Sequence, residues 1–180
     1  LEGGGQFAQW QGCDSRIINV CIVQMNSNKN VEISMSAAEE GALVSRALKD
    51  VFGGINPDVL AYVSNPNNPP FKRALADLQA LKMGHNLQEI KDWINDIKQY
   101  SWFRDQGGIN AVIVNWEKKV AKQVLLEVFA PEVSKYPTLA AFLTDESQKP
   151  FQSALADLRE GRGGGGYEGL KNWIGQPANR

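Results

Sequence analysis

An internal repeat constrains the fold of this sequence more than any other feature. Residues 70–94 and 150–174 are identical at eleven of twenty-five positions at a constant offset of 80, including the run Ala-Leu-Ala-Asp-Leu. Three apolar residues further upstream recur at an offset of 77: Leu48, Val51 and Phe52 recur as Leu125, Val128 and Phe129. An insertion of three residues beside Pro137 accounts for the change of offset. This self-similarity predicts two copies of one multi-helix unit.

Each copy is predicted to contain four helices. Ser36 and Glu39 match a capping box, in which each side chain binds an exposed backbone amide of the first helical turn. Other helix boundaries are predicted from capping residues and glycine: starts at Asn56 and Asn86, and an end at Gly53. The fourth helix is predicted to bury an apolar face that includes Ile97. In the second copy, the first helix is predicted over residues 109–129.

The apolar faces of these helices predict the core of the two copies. Eight repeat-related residues are predicted to lie in it: Phe71, Leu75, Leu78, Trp93, Phe151, Leu155, Leu158 and Trp173. Helices this short are unstable alone in water, so each has to bury its apolar face against others. A copy of about 60 residues provides only a marginal core. The sequence therefore favours two copies packed as one body.

The predicted fold class is mainly α: two internally duplicated multi-helix units packed as one body, with a short extended or β-hairpin N-terminal arm. The arm is predicted from a β-branched apolar run at residues 17–25 and a second short apolar segment at 31–33. The predicted boundaries are an N-terminal arm (1–35), helical repeat 1 (36–100), a connector (101–108), helical repeat 2 (109–176) and a tail (177–180).

Composition excludes several classes of function. The 180 residues include 19 Lys and Arg and 20 Asp and Glu, for a net charge of −1. This balance argues against a nucleic-acid partner and against an anionic membrane surface. Apolar runs fall far short of the roughly 18 residues that a membrane span needs, so no span is predicted. With one histidine and two cysteines, no metal site and no cofactor are predicted.

The residues that suggest catalysis have simpler structural interpretations. Asp77 and Asp157 recur with the repeat, and duplication is more typical of packing residues than of catalytic ones. The glycine-rich stretch at 161–166 lacks the Gly-Lys-Ser/Thr ending of a phosphate-binding loop. His85 has no accompanying nucleophile motif. The sequence therefore predicts a protein that is not an enzyme.

The N-terminal region leaves two questions open. Cys13 and Cys21 are eight positions apart and are predicted either to form a small-loop disulfide or to be two buried thiols. The chain starts at Leu1 rather than at methionine. This start fits a processed mature protein in an exported or organellar compartment, and it equally fits a cloning remnant, because Leu-Glu precedes three glycines.

Aromatic residues are the predicted partner-binding site. Tyr100, Trp102 and Phe103 form a cluster with polar neighbours, and Trp10 is a further candidate anchor, because Tyr and Trp favour interface hot spots. The alternative is that the cluster closes the seam between the two copies. The predicted function is a non-catalytic helical interaction protein, an accessory subunit docking on a larger assembly. The alternatives are a carrier of an apolar small molecule between the two halves and a nucleic-acid accessory protein.

Overall fold

The computed structural model describes residues 2–3, 9–10, 21–22 and 33–179 and is mainly helical. Ten α-helices lie between residues 37 and 175: α1 Ala37–Phe52, α2 Pro57–Ser64, α3 Pro69–Gln79, α4 Leu87–Asn95, α5 Ile97–Arg104, α6 Ile109–Val128, α7 Ala130–Lys135, α8 Thr138–Thr144, α9 Lys149–Arg159 and α10 Gly166–Gly175. Short 3₁₀ turns at Arg162–Gly164 and Pro177–Asn179 flank α10. The chain divides into two compact units, residues 1–109 and 110–180.

Local capping explains where several helices start. At the start of α1, the Ser36 hydroxyl accepts a hydrogen bond from the Glu39 amide, and the Glu39 carboxylate accepts one from the Ser36 amide at 2.9 Å. This reciprocal pair is the predicted capping box. The Asn56 and Asn86 side chains each accept from the amide three residues later, at 2.8 and 2.9 Å. The three predicted helix starts are therefore confirmed.

The first unit buries one face of each of its helices around α1. Helix α1 packs against α2, α3 and α4, and α5 follows α4. The fully buried side chains of this unit include large apolar residues of all five helices: Leu48, Phe52, Val59, Val63, Leu78, Ile90, Ile94 and Phe103. Among the predicted core residues of this copy, Phe71 and Leu78 are buried, whereas Leu75 and Trp93 are partly buried.

The second unit has its own core, built from α6, α8, α9 and α10. Its buried apolar residues are Val120, Ala121, Val124, Leu125, Leu143, Phe151, Ala154, Leu158, Leu170 and Ile174. Trp173 and Leu155 are partly buried and pack against this core. Helix α6 covers Ile109–Val128, and the helix predicted from the apolar periodicity covers residues 109–129. The two differ by one residue at the C-terminal end.

Three local features differ from the predictions. Ile97 is 85% exposed, so its predicted burial is wrong. The Asp96 side chain accepts from the Lys98 amide at 3.0 Å and starts a new helix, which turns Ile97 out of the apolar face of α4. Helix α7 was not predicted. The predicted connector, residues 101–108, is helical up to Arg104.

The N-terminal residues are described only in short pieces. Glu2–Gly3 pairs antiparallel with Cys21–Ile22, and Gln9–Trp10 pairs antiparallel with Ile33–Ser34. Most of the predicted arm lies outside the described residues. So do Cys13 and the side chains of Cys21 and Trp10, and with them the predicted disulfide and one predicted anchor.

Candidate functional site

The predicted aromatic cluster lies on α5, within the first unit. Phe103 is fully buried, with its ring centroid 5.8 Å from that of Phe52 and 5.9 Å from that of Trp93. Tyr100 stacks on Phe52 at 5.3 Å. Trp102 meets Phe103 edge to face at 5.4 Å. Phe103 is thus a core residue of the first unit, while Tyr100 and Trp102 keep part of their surface exposed.

A charged group on α3 ties α5 to the rest of the first unit. The Arg73 guanidinium lies over the Trp102 ring, 4.0 Å from its centroid, and donates to the Gln99 side chain. The same guanidinium is 3.4 Å from the Asp77 carboxylate. Lys82 binds the other oxygen of Asp77 at 2.6 Å, and Asp77 is only 7% exposed. Asp77 is therefore a nearly buried carboxylate that is paired with two cations.

An open cavity of about 600 Å³ lies within the second unit. We call it the second-unit cavity. Its walls come from α6, α7, α8, α9 and α10, and its lining includes Phe129, Glu132, Leu139, Ser153, Ala154 and Asp157. Most of its lining is apolar, which is typical of ligand and partner sites rather than of ordinary surface.

The few polar groups of the second-unit cavity are incompletely paired. The Oε2 atom of Glu132 is buried and has no hydrogen-bond partner. In the part of the chain that the structure describes, the Asp157 carboxylate has neither an ion pair nor a hydrogen bond. Lys149 is an exposed cation at the same cavity. Two carboxylates and one ammonium give the lining a net negative formal charge. A buried hydrogen-bond acceptor that has no donor lowers the stability of the folded state.

A cluster of charged and polar side chains lies away from this cavity, between α6 and α10. The Lys171 ammonium donates to Glu127 at 2.7 Å, and the Tyr167 hydroxyl donates to the same carboxylate. Hydrogen bonds from Lys171, Tyr167 and Gln123 lower the pKa of Glu127 from 4.5 to about 2. The hydrogen bond to Glu127 raises the pKa of Lys171 and the pKa of Tyr167. All these side chains are substantially exposed, so the cluster is a surface feature of the fold.

The other candidate residues of the sequence analysis do not lie together at one site. His85 is exposed in the loop between α3 and α4. The stretch 161–166 contains a 3₁₀ turn, with Arg162 over the Trp173 ring at 5.4 Å. No group of three or more His, Cys, Asp or Glu side chains that could hold a metal ion occurs among the described residues. Among the same residues, none of the helices combines the length and the apolar character that a membrane span needs.

Sequence analysis missed the second-unit cavity, although a signal for it exists. At the offset of 80, Arg73 corresponds to Ser153, and Lys82 corresponds to Arg162. The arginine that pairs with the nearly buried Asp77 is thus replaced by a small neutral residue at the corresponding position. The change from Arg73 to Ser153 in the sequence predicts that Asp157 lacks the cation that Asp77 has.

Comparison with protein-family models, with curated proteins and with solved structures finds no match to this chain.

Proposed function

We propose that this chain is a non-catalytic helical interaction protein, an accessory subunit that docks on a larger assembly through the second-unit cavity. One observation carries the proposal. Positions that hold α5 in the first unit have counterparts that line an open cavity in the second unit. A surface covered by a helix in one copy is therefore available to a partner protein in the other.

The proposal includes an internal duplication, which the helix bounds support. Helix α3 covers residues 69–79 and α9 covers 149–159, so both ends differ by 80 positions. Buried residues follow the same offset: Ala74 with Ala154, Leu78 with Leu158, and Ile94 with Ile174. Packing positions coincide as well as helix ends, and this agreement supports the two units as counterparts.

The residues that contact α5 identify the docking surface. Phe52 stacks on Tyr100, and its counterpart at an offset of 77 is Phe129, which lines the second-unit cavity. Arg73 covers Trp102, and its counterpart Ser153 lines the same cavity. Apolar surface left open in this way favours association, because covering it removes it from water.

Blocking the second-unit cavity tests this function. Ser153 and Gln152 are adjacent, exposed residues of α9, and only Ser153 lines the cavity. The full chain would be isolated from its native source as wild type, S153W and Q152W, and its assembly mass measured by size-exclusion chromatography and native mass spectrometry. We expect wild type and Q152W to be recovered in a complex of defined stoichiometry and S153W as a monomer. A free monomer in all three cases, or a complex that S153W leaves intact, would contradict the proposal.

A second candidate function is carriage of an apolar small molecule. A volume of about 600 Å³ and a mostly apolar lining lie in the range of small-ligand sites, roughly 300–1,000 Å³. All the lining residues belong to the second unit, so this site differs from the predicted one between the halves. Organic extraction of natively isolated protein, followed by mass spectrometry, separates the two functions. A stoichiometric ligand that S153W removes would favour the carrier.

A further inference from the structure

Resting on the docking site proposed above, we propose that the second-unit cavity binds a short amphipathic helix of a partner protein that carries aromatic side chains and one basic side chain, with Asp157 binding the basic group. The first unit indicates which side chains the partner helix carries. Three aromatic side chains of α5 cover the corresponding surface there: Tyr100, Trp102 and Phe103.

The shape of the site favours a helix rather than an extended peptide. In the first unit, an eight-residue helix is sufficient to place Tyr100 and Phe103 against Phe52. Residues three apart lie on one face of a helix, so both rings meet the same surface. The second-unit cavity offers Phe129 as the counterpart of Phe52. Strand addition would need an exposed sheet edge, and the cavity walls are all helices and one 3₁₀ turn.

The basic side chain is inferred from the pairing of the two repeat-related aspartates. Asp77 binds Arg73 and Lys82. At the counterparts of these two cations, Asp157 has Ser153, which carries no charge, and Arg162, which instead binds Glu160 at 2.8 Å. Asp157 therefore lines the cavity without the cations that Asp77 has. An acid in this position is satisfied by a cation that the partner brings.

A second unmatched acceptor in the same cavity has the same requirement. The Glu132 Oε2 atom is buried and unpartnered. At the offset of 77, which holds up to the insertion beside Pro137, Glu132 corresponds to Ile55, so the first unit has no acid at this position. Hydrogen bonds to charged groups are among the stronger ones in proteins. The acceptors Glu132 and Asp157 together favour an occupant with donors over a purely hydrocarbon ligand.

The position of the basic side chain on the helix follows from Gln99. In the first unit, the Gln99 side chain accepts a hydrogen bond from the Arg73 guanidinium, which also binds Asp77. In the second unit, a serine replaces that arginine. A helix that docks as α5 does, with arginine at the position of Gln99, brings a guanidinium to the place that Arg73 occupies beside Asp77. The cation is then supplied by the partner instead of by α9.

The test uses the intact chain and peptides of residues 96–106, Asp-Ile-Lys-Gln-Tyr-Ser-Trp-Phe-Arg-Asp-Gln. One peptide carries Gln99→Arg and the other carries Ser101→Arg, so the two have equal charge and differ in where the arginine lies. Dissociation constants would be measured by fluorescence polarisation with end-labelled peptides. We expect the Gln99→Arg peptide to bind about tenfold more tightly, as one added charge-assisted hydrogen bond predicts.

Protein variants assign that preference to Asp157. D157N and S153R are both expected to bring the two peptides to equal affinity, the first by removing the acid and the second by restoring a cation beside it. D92N removes an exposed acid of α4 and is the matched control, expected to keep the tenfold difference. Circular dichroism verifies that all variants are folded.

Three results would overturn the inference. They are equal affinity of the two peptides for wild-type protein, a preference that persists in D157N, and the absence of binding by either peptide. None of these results affects the S153W experiment on the native assembly. A complex that S153W disrupts, together with peptides that do not bind, would leave the proposed function standing and reject the aromatic, basic helix as its partner.

Discussion

The Arg73 guanidinium lies 4.0 Å from the centre of the Trp102 ring and joins helix α3 to helix α5. The same side chain binds Asp77 at 3.4 Å. Arg73 therefore pairs with a nearly buried carboxylate and also packs over an aromatic ring. Its counterpart in the second unit is Ser153, at the edge of an open cavity. The two units therefore differ in the side chain at this position, next to the aspartate that both contain.

Replacing Arg73 with the residue of the second unit tests that relationship. R73S removes a cation–π contact and one of two cations beside Asp77, and we expect a loss of about 1–3 kcal/mol in the free energy of unfolding. Denaturant unfolding followed by tryptophan fluorescence measures it, with a red shift as Trp102 becomes more exposed. K72S, at an exposed neighbouring position, is the control. Equal stability of R73S and K72S would show that Arg73 does not hold α5.

Local signals in the sequence were sufficient for most of the helical architecture. Side-chain caps act within three residues, so Ser36, Asn56 and Asn86 indicate their helix starts without knowledge of the tertiary fold. The apolar periodicity of residues 109–129 likewise delimits one long helix. What failed was the continuation through Ile97, since Asp96 has two roles: it follows α4 and also caps α5.

The candidate site was not predictable in the same way. A cavity depends on side chains from several helices and on which surface no helix covers. Phe129 and Ala154 are far apart in sequence, and each by itself has the pattern of a core residue. Comparison of the two copies could have located Asp157 through the change from Arg73 to Ser153. The volume and open face of the cavity are tertiary properties that no local pattern encodes.

Leu81 is the one non-glycine residue with a positive φ among the described residues, at 56°. It lies two residues after the end of α3, and its counterpart Gly161 lies two residues after the end of α9, with a φ of 69°. The left-handed region costs a side-chain-bearing residue roughly 1–2 kcal/mol. Leu81 is 75% exposed, so little packing offsets that cost. L81G is expected to raise the free energy of unfolding by about 0.5–1 kcal/mol, after the entropy cost of glycine.

The reciprocal change supplies the control for Leu81. A Cβ atom on Gly161 would meet nothing within 4 Å, so G161L introduces only the backbone cost. We expect it to lower stability by about 1 kcal/mol. Both variants are measured by urea denaturation. A loss of stability in L81G would mean that the leucine side chain contributes contacts that outweigh its backbone conformation.

Gly163 is required for a close approach between two backbone segments. A Cβ atom there would lie 2.1 Å from the carbonyl oxygen of Gly169. G163A is expected to cost about 2–4 kcal/mol, because the turn before α10 has to move. G161A has a similar positive φ and open space around its Cβ, so the difference between the two variants isolates the clash. Equal melting temperatures for G163A and G161A would contradict this account.

Glu127 provides a prediction about pH. Hydrogen bonds from Lys171, then Tyr167, then Gln123 hold its pKa at about 2, below the ordinary 4.5. A carboxyl whose pKa is lowered by folding stabilises the folded state above the unfolded pKa, and that contribution is lost as pH falls from about 4.5 towards 2. K171M is expected to raise the pKa of Glu127 towards 4.5, and Y167F to raise it less.

The titration of Glu127 can be followed through its side-chain carboxyl carbon by nuclear magnetic resonance. K135M removes an exposed lysine of α7 and should leave the pKa of Glu127 unchanged. Because K171M and K135M change the net charge equally, a shift confined to K171M reflects the direct contact at 2.7 Å and not the overall charge of the protein. A K171M protein in which Glu127 still titrates near pH 2 would show that Tyr167 and Gln123 alone hold the carboxylate.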